Sequence, residues 1–158
     1  TLQRVIAQSF RSGWPLGIIM INIDHFKEHN DTHGHGAGDV ALQALGQLLA
    51  ANTRGGDVAC RYGGEEFVVA LPGATLEVAH ERAEHLRRAV EAMRVDYAGA
   101  TLSLTISAGI AAYPVHGERV DQVLDNADQA LYQAKNGGRN RCVVRAIRAR
   151  LPARPRVV

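Results

Sequence analysis

Seven consecutive residues, Arg61-Tyr62-Gly63-Gly64-Glu65-Glu66-Phe67, constrain this chain more than any other stretch. They lie between two apolar runs, Val58-Ala59-Cys60 and Phe67-Val68-Val69-Ala70-Leu71. Two glycines between β-formers predict a tight hairpin, because glycine enters positive φ without steric cost. Glu65 and Glu66 then fall just past the turn, where a strand prefers Val or Thr. Neighbouring strand residues point to opposite faces, so the two acids serve different surroundings. Taken alone, Gly-Gly-Glu-Glu is more often a solvated, charged hairpin tip. The functional alternative is that the glycines let a nucleotide approach the backbone while a carboxylate holds a cation at its phosphates.

The rest of the chain supplies the frame. Its 158 residues fit one domain with a real core, and an apolar share of 46% with 22% charged is ordinary for a globular protein. No apolar run approaches the roughly 20 residues that span a bilayer, and the sequence shows no secretion leader. Cys60 and Cys142 sit in apolar, strand-like runs, which suits buried thiols in a reducing compartment. A cytoplasmic location without membrane contact is therefore expected. The net charge is only +2, but Arg139, Arg141, Arg145, Arg148, Arg150, Arg154 and Arg156 crowd the end. Residues 146–158 read as a solvated basic tail rather than a nucleic-acid arm. The sequence opens without Met in a helical pattern, so a fragment of a larger signalling protein is expected.

Taken in order, Leu2, Val5, Ile6 and Phe10 predict a helix over residues 1–11. Leu16 to Ile23 reads as a buried strand. Asn22-Ile23-Asp24-His25-Phe26-Lys27 closes that strand and opens a helix with Asp24 as its cap. Asn22 and Asp24, two apart, share one face of extended backbone. His25, His29, His33 and His35 match no zinc motif and read as surface and loop residues. Helices are predicted over 39–51, 76–93 and 120–134. Thr101 to Ser107 alternates polar and apolar as a half-buried strand that runs on through Ala111, and Arg141 to Arg145 forms a closing strand. The order α-β-α-α-β-β-α-β-α-β predicts one α+β sandwich with a mostly antiparallel sheet.

The heptapeptide resembles the signature of the GGDEF family of diguanylate cyclases in a Gly-Gly-Glu-Glu-Phe variant. Further motifs fall in the family's order from about Leu16 to Val144. The resemblance implies a palm-like nucleotidyl-cyclase fold, a core of about 16–145, and condensation of two GTP into cyclic di-GMP with loss of two pyrophosphates. It implies Mg²⁺ or Mn²⁺ held by Glu65, the Ile23 backbone carbonyl, Asn22 and Asp24. Glu66, Gly63 and Gly64 join Glu65 in the catalytic hairpin. Lys27, Lys135 and Arg139 fall at phosphate positions, Asn30 and Asp39 at guanine positions, and Phe26 among the substrate contacts. Arg54 and Asp57, with His85 where the family often has Arg, match its inhibitory product site.

Asn22 is the largest departure, since the family places a metal-binding Asp there. An amide offers a carbonyl oxygen but no charge, so metal affinity falls. Each subunit holds one GTP, so turnover implies a homodimer and an upstream sensory or dimerisation module. The alternative is a weakened domain that acts as a receptor for cyclic di-GMP or GTP. A reader of nucleic-acid polymers is disfavoured, because Phe and Tyr total only seven.

Overall fold

A computed structural model describes residues 2–147, so the basic tail expected beyond Ile147 lies outside the described residues. Helix α1 (Leu2–Ser12) leads into β1 (Leu16–Ile23), followed by α2 (Phe26–His33) and α3 (His35–Ala51). The hairpin strands are β2 (Val58–Gly63) and β3 (Glu66–Pro72), and α4 (Leu76–Ala92) comes next. Two short strands, β4 (Val95–Tyr97) and β5 (Ala100–Leu102), precede β6 (Ile106–Tyr113), α5 (Val120–Asn136) and β7 (Cys142–Val144).

Five strands form one sheet in the order β2-β3-β1-β6-β7, antiparallel except for the β6–β7 pair. Strand β1 is central, which explains its almost unbroken apolar run: both faces are covered. Ile19, Ile21 and Ile23 pack with Leu45 and Leu49 of α3 and with Ala83, Leu86 and Val90 of α4. Leu16, Ile18 and Met20 face the other way, against Ile6 of α1 and Val123, Ala127 and Leu131 of α5. Helix α5 lies unusually close to β6. A Cβ at Gly109 would meet the Ala127 carbonyl oxygen and the Leu131 nitrogen at 2.2 Å each, so only glycine fits there. This contact sets the height of α5, and hence of its last turn, over the sheet.

The predicted strand from Thr101 to Ala111 is broken. Residues 100–102 pair with β4 in a separate two-stranded sheet, Ser103 to Thr105 are irregular, and β6 starts at Ile106. Alternation could not reveal this, because both halves satisfy it. Helix α3 also begins at His35, four residues earlier than expected, directly after Gly34 at φ +93°. Among the described residues no helix is long and apolar enough to cross a membrane.

Candidate active site

The hairpin is tighter than two glycines alone suggest. Gly63 pairs with Glu66 across the ladder, so the loop itself is Gly64-Glu65. Gly64 sits at φ +44°, and Arg61 Nε donates to its carbonyl at 2.8 Å. Arg61 faces Phe67 while Gly63 faces Glu66, so Tyr62 is the extra residue of a bulge. Glu65 thus stands in the turn, not past it, and only Glu66 belongs to a strand. The Glu65 carbonyl accepts from the Ile23 N–H at 3.2 Å, which stitches the turn to the end of β1.

That stitch creates a cleft. Glu65, Asn22, Ile23, Asp24, Phe26, Lys27, Lys135 and Arg139 line one cavity of about 180 Å³, together with His25 and Glu28. Eight predicted site residues, from three separate stretches of sequence, therefore meet. Glu66 stands opposite Asn22 in the β1–β3 register and lies half-buried beside Asp128 and Lys135 of α5. Burial first, and the hydrogen-bonded Asp128 carboxyl second, raise the Glu66 pKa above the usual carboxylate range. Asp128 is a neighbour the sequence reading missed.

Asp24 takes a different place from the one its position suggested. It does not cap α2: His25 occupies the N-cap, in the left-handed region at φ +54°. The Asp24 carboxylate is buried and accepts from Thr105 Oγ1 at 2.7 Å, Ser107 Oγ at 2.6 Å and the Asn140 N–H at 2.9 Å. With both oxygens engaged, Asp24 is an anchor and not a ready metal ligand. It ties the end of β1 to the α5–β7 loop. Asn140 is held further by Arg87, which donates to its Oδ1 at 3.0 Å, and by its own donation to Glu91. This network fixes Arg139, at φ +63°, beside Lys135 at the cleft.

Asn30 and Asp39 do not line this cleft. Asn30 presses against α3, where a Cβ on Gly38 would meet its Oδ1 at 2.0 Å, and that Oδ1 is buried without a partner. Asp39 follows Gly38 on α3 and is exposed. A separate cavity of about 420 Å³ is lined by Arg54 and His85 with Asn52, Glu81 and Arg82. Asp57 is turned to its own loop and to α4: its Oδ2 accepts from the Arg54 N–H and from Arg82 Nη1, both at 2.9 Å. Arg82 also donates to the Asn52 carbonyl at 2.8 Å, and His85 Nε2 lies 3.2 Å from Asn52 Oδ1. Arg82 had carried no signal in the sequence beyond an ordinary charged helix face.

Chemically, the cleft sets the Asn22 amide oxygen and the carboxylates of Glu65, Glu28 and the already hydrogen-bonded Asp24 against three cations, Lys27, Lys135 and Arg139. Among the described residues no three His, Cys, Asp or Glu side chains form a ready cage for a metal ion. The donors nevertheless fit a hard cation such as Mg²⁺, which keeps waters and is held by one or two carboxylates plus a ligand's phosphates. An acidic turn facing a Lys–Arg pair has the charge pattern that suits a polyphosphate accompanied by a cation.

The chain matches the model of the family described as "Diguanylate cyclase, GGDEF domain" over residues 1–141. It is 43% identical over 126 residues to diguanylate cyclase A of Treponema denticola, covering 80% of this chain and 34% of that protein. In structure it resembles the GGDEF domain of DgcB from Caulobacter crescentus in complex with c-di-GMP: TM-score 0.81, 31% identity, 90% of this chain and 85% of that one. The active GGEEF domain of a diguanylate cyclase from Vibrio cholerae aligns with TM-score 0.82 and 31% identity, over 90% of each chain. The chain belongs to the GGDEF diguanylate cyclase family, and its α+β sheet and helices are the family's palm-like fold.

Proposed function

We propose that this chain is one GGDEF catalytic domain that condenses two GTP into cyclic di-GMP and two pyrophosphates. The observation that carries the reading is the convergence of Glu65, Asn22, Lys27, Lys135 and Arg139 on one cleft. Lys135 and Arg139 hold the terminal phosphates, and Lys27 reaches them from the start of α2. Glu65, with the Asn22 amide oxygen and the Ile23 carbonyl, holds Mg²⁺ or Mn²⁺; when bound, the ion supplies Lewis-acid charge at the phosphates. Glu66 supports this set from the strand behind it. Asn30 and Asp39 take the guanine from the α2–α3 junction, where the buried Asn30 Oδ1 has no well-formed hydrogen bond. Each subunit presents one GTP, so bond formation needs a second copy facing the first.

Feedback by product at the Arg54 cavity is part of the proposal. Arg54 and His85 line it, while Asp57 reaches a guanine only by exchanging its bond to Arg82. The second reading, a weakened domain that binds cyclic di-GMP or GTP without turnover, draws on Asn22, which brings an uncharged amide to the cleft. Calorimetric titration of a non-hydrolysable GTP analogue with Mn²⁺ tests the phosphate cradle. Arg139→Ala and Lys135→Ala each weaken binding about tenfold or more, as loss of a charged hydrogen bond does; unchanged affinity in both would place the nucleotide elsewhere.

A further inference from the structure

Three histidines, two in α2 and one at its N-cap, fall outside the chemistry above. His25, His29 and His33 follow at steps of four, so they share one stripe of the helix. All three line a cavity of about 470 Å³ whose far walls are Ser103 to Thr105 and the end of α4 with Glu91 and Arg94. Asp24, His25 and Glu28 also border the hairpin cleft, whereas His29 and His33 do not.

The rings of His29 and His33 have centres 5.1 Å apart and are tilted by 53°. A ring centre lies about 3.2 Å from an ion bound at about 2.0–2.1 Å to one of its nitrogens, so two imidazoles on one tetrahedral ion have centres about 5.2 Å apart. The observed spacing matches that figure. A second observation is independent: both ring nitrogens of His29 are buried without a well-formed hydrogen bond, and since Asn30 can engage only one of them, at least one is left without a partner. Buried polar atoms are almost always paired, so an orphan ring nitrogen calls for a ligand. Burial first and His33 second lower the His29 pKa against an opposing contact from Asn30, which favours the neutral form that binds metals. Finally, α2 is eight residues long and none of them is fully buried, so little besides its neighbours holds it helical.

We propose that His29 and His33 anchor a site for a borderline divalent transition-metal ion of the Zn²⁺, Ni²⁺ and Cu²⁺ class. Imidazole nitrogen selects these ions over Mg²⁺, so the site is distinct in chemistry from the oxygen donors at Glu65 and Asn22. No third ligand is already gathered among the described residues. Water, or Glu28 or His25 after a rotamer change, completes the shell, and affinity stays well below that of a closed four-ligand zinc site. The ion ties the last turns of α2 together. Lys27 and Asn30 stand on the same helix, so under the proposed function the ion would also brace two substrate contacts; the site itself does not depend on that reading.

The test is calorimetric titration of Zn²⁺ into the whole chain at neutral pH with Mg²⁺ in excess, alongside imidazole proton NMR. One ion per chain is expected, with the largest shifts at His29 and His33 and none at His80. His33→Gln, at an exposed position that spares the fold, lowers the affinity by more than about tenfold, the scale at which even outer-shell partners act. His29→Gln does the same, with its folding checked by circular dichroism. His80→Gln on α4 and Cys60→Ser leave binding unchanged. Absence of Zn²⁺ binding, or binding that survives His33→Gln, or binding that disappears with Cys60→Ser or Glu65→Gln, overturns the proposal.

Discussion

Asn22 and Glu66 stand directly opposite each other in the β1–β3 ladder, so an amide and a carboxyl project from one face of the sheet at the cleft. A carboxylate in place of the amide would set two acids side by side, tolerable only with a cation between or beside them. In this chain the amide removes that repulsion, and with it a charge that the ion would use.

The first prediction follows. Asn22→Asp lowers the Mg²⁺ or Mn²⁺ concentration at half-maximal GTP turnover by about tenfold or more, because an added unit charge a few ångströms from the ion contributes more than about 1.4 kcal/mol. Without divalent ion the same variant melts earlier than wild type, and the ion restores it. A metal titration that superimposes on wild type would place Asn22 outside the ion's reach.

Asp24 carries the second. Asp24→Ala strands two hydroxyls and the Asn140 N–H, and loses about 2–4 kcal/mol of stability in urea denaturation. Asn22→Ala, a half-buried residue with no comparable network, changes stability by about 0.5 kcal/mol or less. Similar losses for the two variants would contradict the division between anchor and ligand.

Much of this site was legible before the structure. The eight-residue apolar run of β1 has the predicted ends, Leu16 and Ile23, because a strand buried on both faces leaves an unmistakable pattern. A hairpin at the two glycines was also readable from local chemistry, though its turn falls one residue later, at Gly64-Glu65, while the pairing of Lys135 with Arg139 was suggested only by the family resemblance. What escaped depends on partners distant in sequence. Asp24 looked like a cap because Ser107 lies 83 residues away, and Asp57 looked free because its partner Arg82 lies on α4. The break between β5 and β6 was hidden because a strand that changes sheets keeps its alternation.

Cys142 offers a pH test. Burial, and then the adjacent Glu84 carboxylate, push its thiol from an ordinary 9.0 up to about 12. A neutral thiol in the fold that ionises once unfolded contributes stability below about pH 9, and this is lost as pH rises toward about 12. Cys142→Ala therefore shows a shallower alkaline loss of stability than wild type. The buried, protonated thiol of the native protein therefore reacts with a disulfide reagent far more slowly than after unfolding. Rapid native labelling at Cys142 would show that the thiol is not held as described.

The cavity at Arg54 and His85 yields a fourth prediction. Arg54→Ala weakens cyclic di-GMP binding by about ten- to a hundredfold, the equivalent of about 1.5–3 kcal/mol for a charged hydrogen bond, and relieves product inhibition. Arg82→Ala frees the Asp57 carboxylate and alters product affinity as well, through the loop and not through GTP. Equal affinities in wild type and Arg54→Ala, measured calorimetrically, would move the product into the cleft of Glu65.

The measurement that bears most directly on the account is incubation with GTP and either Mg²⁺ or Mn²⁺, followed by chromatography of nucleotides and assay of pyrophosphate. Wild type is expected to yield cyclic di-GMP with two pyrophosphates per product, faster with Mn²⁺ and at higher protein concentration. Glu66→Gln should lose about ten- to a hundredfold of that rate, and Glu65→Gln more, because Glu65 alone brings a carboxylate to the turn. No cyclic di-GMP at any ion concentration, from a protein that still binds the dinucleotide, would contradict catalysis and leave the receptor reading.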